Sequence, residues 1–286
     1  MWKLYISKKK NLKYISDLIN LIQKDSIFKE FYYFDKIPST QDFAFKIIKR
    51  KKIIHPSVII CNSQTLGKGR NRSMWSSKKG GIWVSLILET NMKVEKLFIY
   101  MMISSICICE TIEQKTDLKP TLKWPNDIFI NGKKVAGILL DIESDMDNNK
   151  NKIILGMGIN TNNDLNSTLH EIQANKKPSY YAITTLKKEL NDIKISNMDF
   201  LSKLLDNINT FLLKINTNPF LYESVFKNYK ERIMNSKNSL HYVFKNDNIV
   251  LNGELVDLAY DGSLLVKDVQ QNKIINISSA NNVELK

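Results

Sequence analysis

Apolar residues recur along this chain with two alternating periods. Ile15, Leu18, Ile19 and Ile22 fall at helical spacing, which predicts a helix within residues 1–30. Residues 30–37, 58–62 and 82–89 are dense in β-branched and aromatic side chains and read as strands. Between the first two, residues 40–51 read as a helix capped by Ser39 or Thr40. Residues 94–115 predict a long helix, apolar on nearly every side and therefore buried. Four further strands, 122–124, 128–130, 135–143 and 153–160, complete a strand-rich sheet. Asn131-Gly132 marks a two-residue hairpin turn between two of them, and 144–152 a second turn. Residues 162–179 read as a polar loop, 184–188 as the start of a helix, and 198–215 and 220–234 as two more helices. Beyond residue 236, short β-runs punctuated by Asn252-Gly253 and Asp261-Gly262 predict a small barrel-like unit. The expected class is α+β: a mixed β-sheet backed by helices over residues 1–235, then a small β domain over 236–286.

Composition narrows this picture. A length of 286 residues suits one large and one small domain, and a hydrophobic share of 43% excludes wholesale disorder. The longest apolar run, 97–109, contains Ser104 and Ser105 and stops at Glu110. It falls short of the roughly 20 residues that cross a bilayer, so a soluble chain without a membrane partner is expected. Cys61, Cys107 and Cys109 are odd in number and make no C-x-x-C pair, and His55, His170 and His241 are scattered. Neither a disulfide framework nor a thiolate zinc site is expected, and a reducing, cytoplasmic setting is. Residues 1–30 hold Asp17 and Asp25 and no arginine, unlike an organellar targeting segment.

The net charge is +13, nearly all of it lysine, because arginine stands only at Arg50, Arg70, Arg72 and Arg232. Two of these four lie in one segment, Gln64 to Trp75, together with Gly67, Lys68 and Gly69. Glycines admit a close backbone approach, and guanidinium groups suit phosphate, so the segment is a candidate anion cradle as well as a basic surface loop. Its spacing is neither that of a Walker A loop nor that of a dinucleotide fingerprint. Lys123-Trp124-Pro125-Asn126-Asp127 places a proline between two strands, at a bend that projects side chains from the sheet. In Lys133-Lys134-Val135-Ala136-Gly137-Ile138-Leu139, the small Ala136-Gly137 pair leaves room against a strand, as does Gly156-Met157-Gly158-Ile159-Asn160. Pro38-Ser39-Thr40-Gln41-Asp42 is a helix cap first and a hydroxyl and amide clamp second.

These five segments, in this order, resemble the biotin–protein ligase family. That family carries Ser-Thr near its start, a glycine-arginine loop ending in Trp, Lys-Trp-Pro-Asn-Asp, Lys-x-x-Gly-Ile-Leu and a Gly-x-Gly-Ile-Asn strand. The resemblance implies a ligase-type catalytic domain with a small SH3-like β-barrel after it, of the enzyme-only type without a DNA-binding winged helix. It implies ATP-dependent formation of biotinyl-5′-AMP and transfer of biotin to a lysine of a biotin carboxyl carrier domain, with Mg²⁺ assisting. By matched motif, Lys123 and Arg70 are the implied catalytic residues. Biotin falls to Ser39, Thr40, Gln41, Gln64, Lys68, Gly69, Arg70, Lys134, Gly137 and Gly158. The adenylate falls to Lys68, Arg70, Arg72, Trp75, Lys123, Asn126 and Asn160, with Trp124 as a second apolar wall and Asp127 as the candidate metal ligand.

Three positions depart from the family's pattern. Gln41 stands where Asn is commoner, Lys68 where Arg is common, and Arg72 is displaced by one from the usual second arginine. The neighbouring family, the lipoate–protein ligases, is the nearest alternative, and a basic nucleic-acid-binding protein is the alternative of another class. The resemblance implies no DNA partner and is compatible with a homodimer. A loop this rich in glycine is expected to order around its ligand.

Overall fold

Runs of alternating buried side chains pair into one large sheet. The structure is a computed structural model, and it describes residues 3–6, 12–22, 25–50, 56–70, 73–145, 150–174, 182–215, 217–218, 220–234, 242–246, 249–268, 270–277 and 282–285. The strands are β1 (Lys3–Ile6), β2 (Glu30–Phe34), β3 (Ser57–Cys61), β4 (Ile82–Thr90), β5 (Thr121–Lys123), β6 (Asp127–Ile130), β7 (Lys133–Asp145) and β8 (Lys150–Ile159). Their spatial order is β1-β2-β3-β4-β8-β7-β6-β5. The first three run parallel, and every later pairing is antiparallel.

Period-two alternation decides which face each residue serves. Val58, Ile60, Val84, Leu86, Leu155, Met157 and Ile159 face one side. There they meet α1 (Leu12–Leu21), α3 (Phe98–Lys115), α6 (Asn197–Leu212) and α7 (Leu221–Met234). Tyr32, Ile59, Ile87 and Ile154 face the other side, where α2 (Thr40–Lys49) covers them through Ala44 and Ile47. One helix covers only part of a sheet this wide, so the end of that face beside β5, β6 and β7 is left for the site.

By length and composition alone, Val94–Lys115 could cross a membrane, yet most of it is buried inside the fold. Its hydroxyls are satisfied locally: Ser104, Ser105 and Thr111 donate to the carbonyls of Tyr100, Met101 and Cys107 at 2.8, 2.9 and 2.7 Å. Burial raises the thiols of Cys107 and Cys109, the latter to about 12, and raises Cys61 to about 12 as well. All three are free cysteines and buried.

Several boundaries differ from the sequence reading for local reasons. The expected loop contains a helix, α4 (Leu165–Ala174), because the Asp164 carboxylate accepts from the Asn166 and Ser167 amides and starts it. The expected turn at 144–152 is narrower, since β7 and β8 stay paired through Ser144–Asn151 and Asp145–Lys150. A 3₁₀ turn at Val94–Lys96 precedes α3. The Asn131-Gly132 turn has positive φ at both residues, 50° and 71°, as a tight hairpin of right-handed twist requires. A short α5 (Leu186–Glu189) starts at Thr185, whose hydroxyl accepts from the Lys188 amide at 3.0 Å.

The C-terminal unit comprises β9 (Tyr242–Asn246), β10 (Ile249–Leu258), β11 (Leu264–Asp268), β12 (Ile274–Ile277) and β13 (Asn282–Leu285). It is a five-stranded antiparallel sheet of order β12-β11-β10-β9-β13. Leu258, Leu264 and Val266 join the main core, so the unit is packed against the larger domain. The expected boundary near residues 235–238 lies outside the described residues.

Candidate active site

One cross-strand row organises the open part of the sheet. Lys123 pairs with Asp127, Asp127 with Gly137, Gly137 with Gly158, and Gly158 with Trp83. Residues in such a row point to the same face. The neighbouring row aligns Leu139, Gly156 and Ser85. Three glycines therefore lie side by side, and two site side chains occupy the space they leave. A Cβ on Gly158 would stand 2.4 Å from Trp75 Nε1, and one on Gly137 would stand 2.9 Å from Trp75 Cζ3. A Cβ on Gly156 would stand 2.6 Å from Gln41 Oε1. The room expected at the Ala136-Gly137 pair is thus Gly137's alone, because Ala136 points into the opposite core.

The segment from Gln64 to Ser77 folds over this floor as an irregular hairpin. Gln64 bridges Ser77 and Lys68 bridges Met74, while the Trp75 amide donates to the Gly67 carbonyl at 2.9 Å. Arg72 and Asn71 lie outside the described residues. The Arg70 guanidinium donates to Asn126 Oδ1 at 3.2 Å, and Lys68 pairs with Asp42 at the start of α2.

On the α2 side the site is a polar network. Ser39 caps the helix, its hydroxyl accepting from the Asp42 amide at 3.3 Å. Gln64 Oε1 accepts from the Thr40 amide (2.8 Å) and its hydroxyl (3.2 Å), and Gln64 Nε2 donates to Ser77 Oγ at 2.7 Å. Gln41, 3% exposed, donates from Nε2 to Asp141 Oδ2 at 2.8 Å and to the Ile154 carbonyl at 3.2 Å. Ser85 Oγ lies 2.8 Å from Thr40 Oγ1 and 3.0 Å from Gln41 Oε1, with one proton to give. Both Gln41 N–H groups are therefore committed within the protein, which narrows its expected ligand contact to Oε1.

On the far side, cations gather around the Lys123–Asp127 turn. Lys123 is 7% exposed, with Nζ 5.5 Å from the Phe129 ring centre. Lys134 Nζ lies 2.7 Å from Asp127 Oδ1 and 5.1 Å from the Trp75 ring centre. Asn126 donates to the Ile138 carbonyl at 2.7 Å. Asn160 is buried, and its Oδ1 accepts from Asn163 Nδ2 at 3.1 Å.

Trp124 departs from its expected place as a site wall. Its indole is buried on the core side, and Nε1 donates to the Gly262 carbonyl at 2.7 Å, because its neighbours in the turn alternate outward. Sequence reasoning missed Ser77, Ser85 and Asp141. A signal existed for one of them, Ser85, the single polar residue within the apolar run Ile82 to Leu88 of β4; Asp141 stands at the polar end of β7 and carried none.

The fold and site point to a class: residues 33–160 match the model of the Biotin/lipoate A/B protein ligase family. More particularly, the chain is 32% identical over 142 residues to the bifunctional ligase/repressor BirA of Bacillus subtilis, covering 49% of this chain and 43% of that protein. It is 31% identical over 128 residues to biotin–protein ligase 2 of Arabidopsis thaliana, covering 41% and 38%. The match thus spans less than half the length of these relatives. In three dimensions the chain superposes on the biotin protein ligase of Aquifex aeolicus, solved with biotin and ATP. The TM-score is 0.70 at 23% identity, over 91% of this chain and 100% of that one.

Proposed function

We propose that this protein is a biotin–protein ligase that forms biotinyl-5′-AMP from biotin and ATP and passes biotin to a lysine of a biotin carboxyl carrier domain. The observation that carries the reading is the division of one sheet face. An uncharged donor–acceptor network (Thr40, Gln64, Ser85) lies at one side of the Trp75-covered glycine floor, and a cation cluster (Lys123, Lys134, Arg70) lies at the other. A ureido ring offers one acceptor oxygen and two N–H donors, which the first side suits. The acid's carboxylate and the phosphates of ATP suit the second.

In the first half-reaction the carboxylate oxygen attacks the α-phosphorus, and the bond to the β-phosphate oxygen breaks to release pyrophosphate. Like-charge repulsion opposes this approach, so fixed cations lower the barrier. Lys123 is assigned to the phosphate, Lys134 to the carboxyl region, and Arg70 to both, with Asn126 aiming the Arg70 guanidinium. Ser39, Thr40 and Gln64 are assigned to the ring, with Gln41 behind them, and Trp75 to the apolar wall. Lys68, Gly69 and the Gln64–Trp75 loop are assigned to closure over the adenylate. In the second half-reaction the acceptor lysine's amine attacks the acyl carbon, AMP departs, and the amine sheds a proton.

Among the described residues no cluster of three or more His, Cys, Asp or Glu could hold a metal. Mg²⁺ bound mainly through phosphates and water needs only one or two protein carboxylates, and Asp127 is the one so placed. There it would neutralise charge on the phosphates.

Pyrophosphate–ATP exchange with biotin, lipoate or no acid tests the reading. Exchange with biotin alone is expected. Exchange with lipoate alone would move the assignment to the sister activity, and none with either would refute both.

A further inference from the structure

Tyr229 lies on α7, outside every motif of the site, and is 1% exposed. Its hydroxyl donates to the Pro125 carbonyl at 2.6 Å across 104 residues of sequence. Its ring packs edge-on against Phe98, with ring centres 5.9 Å apart. That carbonyl belongs to the peptide unit that continues into Asn126. Asn126 in turn is fixed to β7 by its side chain, at 2.7 Å from the Ile138 carbonyl, and by its own carbonyl, 3.0 Å from the Ile138 amide. The same residue receives the Arg70 guanidinium at 3.2 Å. Burial raises the Tyr229 phenol far above its ordinary value, so it is a neutral O–H donor at any working pH.

We infer that Tyr229 is a positioning residue for the adenylation step, holding the Lys123–Asp127 turn from the core side so that Asn126 aims Arg70. The inference rests on the activity proposed above. A buried proline-containing turn has few backbone donors of its own, and the Pro125 carbonyl needs a partner from elsewhere in the fold. The phenol supplies one on a helix that is itself clamped to α3 by Arg232, whose guanidinium meets the Glu113 carboxylate at 3.0 and 3.2 Å. A rigid rear support of this kind is what a site needs to hold a catalytic cation within a fraction of an ångström.

The test is pyrophosphate–ATP exchange by the full chain and its Tyr229→Phe variant, with melting temperatures alongside. The variant keeps the ring and loses the donor, so kcat is expected to fall roughly tenfold while the KM for biotin rises less than about threefold, since the biotin ring is assigned to the Thr40, Gln64 and Ser85 side and only the carboxyl end meets Arg70. In an Asn126→Ala background the same change is expected to cost less than about twofold, because the two residues act in series. Incorporating 4-aminophenylalanine at position 229 restores an N–H donor and is expected to restore kcat. That variant also decides the matter if the phenylalanine one fails to fold. Parent-like kcat in Tyr229→Phe, full additivity with Asn126→Ala, or a folded amino variant that stays slow would each overturn the inference. A parent protein without exchange would refute the activity and this role together.

Discussion

Gly137 and Gly158 face each other across β7 and β8, and the Trp75 indole lies on both. The absence of two side chains is thus a way of seating a third. The pair explains why a loop that leaves the sheet at Asn62 can return its tryptophan to the sheet surface.

That seating is asymmetric, which gives the first prediction. A methyl group at Gly158 meets the five-membered edge of the indole at 2.4 and 2.5 Å, whereas one at Gly137 meets the six-membered ring at 2.9 and 3.2 Å. Gly158→Ala should lift Trp75 and weaken biotin binding at least about fivefold, by the ~1–3 kcal/mol typical of overpacking. Gly137→Ala should weaken it less. Calorimetric titration of both variants with biotin checks the order, and equal effects would show that Trp75 is not the affected contact.

Lys123→Ala and Arg70→Gly should fail differently. Removing the buried ammonium should abolish adenylate formation, with circular dichroism unchanged. Removing the guanidinium that Asn126 holds should release adenylate to solution, where it labels lysines at random. Biotin blots of variant incubated with an unrelated protein read this directly. Unchanged selectivity would refute Arg70's role.

Ser85 has one proton and two acceptors in reach, Thr40 Oγ1 and Gln41 Oε1. Ser85→Ala leaves at least one of them short inside the fold, at a cost of about 1–3 kcal/mol. The melting temperature should fall, and the KM for biotin should rise several-fold with kcat nearly unchanged, because the phosphate side is untouched. A fall in kcat at constant KM would place Ser85 elsewhere in the mechanism.

The parts of the candidate site legible in the sequence are those whose contacts are local. Ser39 caps α2 three residues from its donor partner, the Asp42 amide, and the Lys123–Asp127 and Gly156–Asn160 runs keep their glycines and cations adjacent in the chain. What stayed hidden is pairing at long range. The Tyr229–Pro125 bond spans 104 residues and the Trp124–Gly262 bond 138, and no periodicity encodes either. Trp124 misled because a tryptophan in a site motif reads as a wall, while the turn after β5 seats it in the core, held by the Gly262 carbonyl. β1 escaped notice because its four residues sit among lysines and gain order only by pairing with β2.

Glu89, at the end of β4, receives Lys150 at 2.6 Å and Lys152 on its other oxygen. Hydrogen bonds from the two lysines hold its carboxyl below the ordinary 4.5. A carboxyl depressed in the folded state stabilises the fold above its ordinary value, and that contribution is lost as pH falls through the depressed one. The group is partly exposed, so the contribution is under ~1 kcal/mol and screened by salt. Urea unfolding of Glu89→Gln should show a shallower loss of stability on the acid side, with the difference vanishing at high salt. Parallel acid limbs would mean the pairs contribute nothing.

The junction between the two units yields the last prediction. Trp124 Nε1 donates to the Gly262 carbonyl, and Gly262 has a φ of +87° in the turn between β10 and β11. A Cβ there would stand 2.2 Å from Phe98 Cδ1, so both the backbone conformation and the contact exclude other residues. Tyr260 of the same turn stacks on Phe226 of α7, ring centres 4.5 Å apart, and Lys230 pairs with Asp257 at 2.6 Å. Trp124→Phe loses the hydrogen bond and part of a buried ring's volume, and should cost about 2–3 kcal/mol in a single cooperative transition. Gly262→Ala strains the turn and displaces Phe98, and should cost more. If the junction couples the units, denaturant curves of Gly262→Ala followed by tryptophan fluorescence should split into two steps, the C-terminal sheet unfolding first. One sharp step with an unchanged midpoint would show that the turn carries no weight in holding the units together.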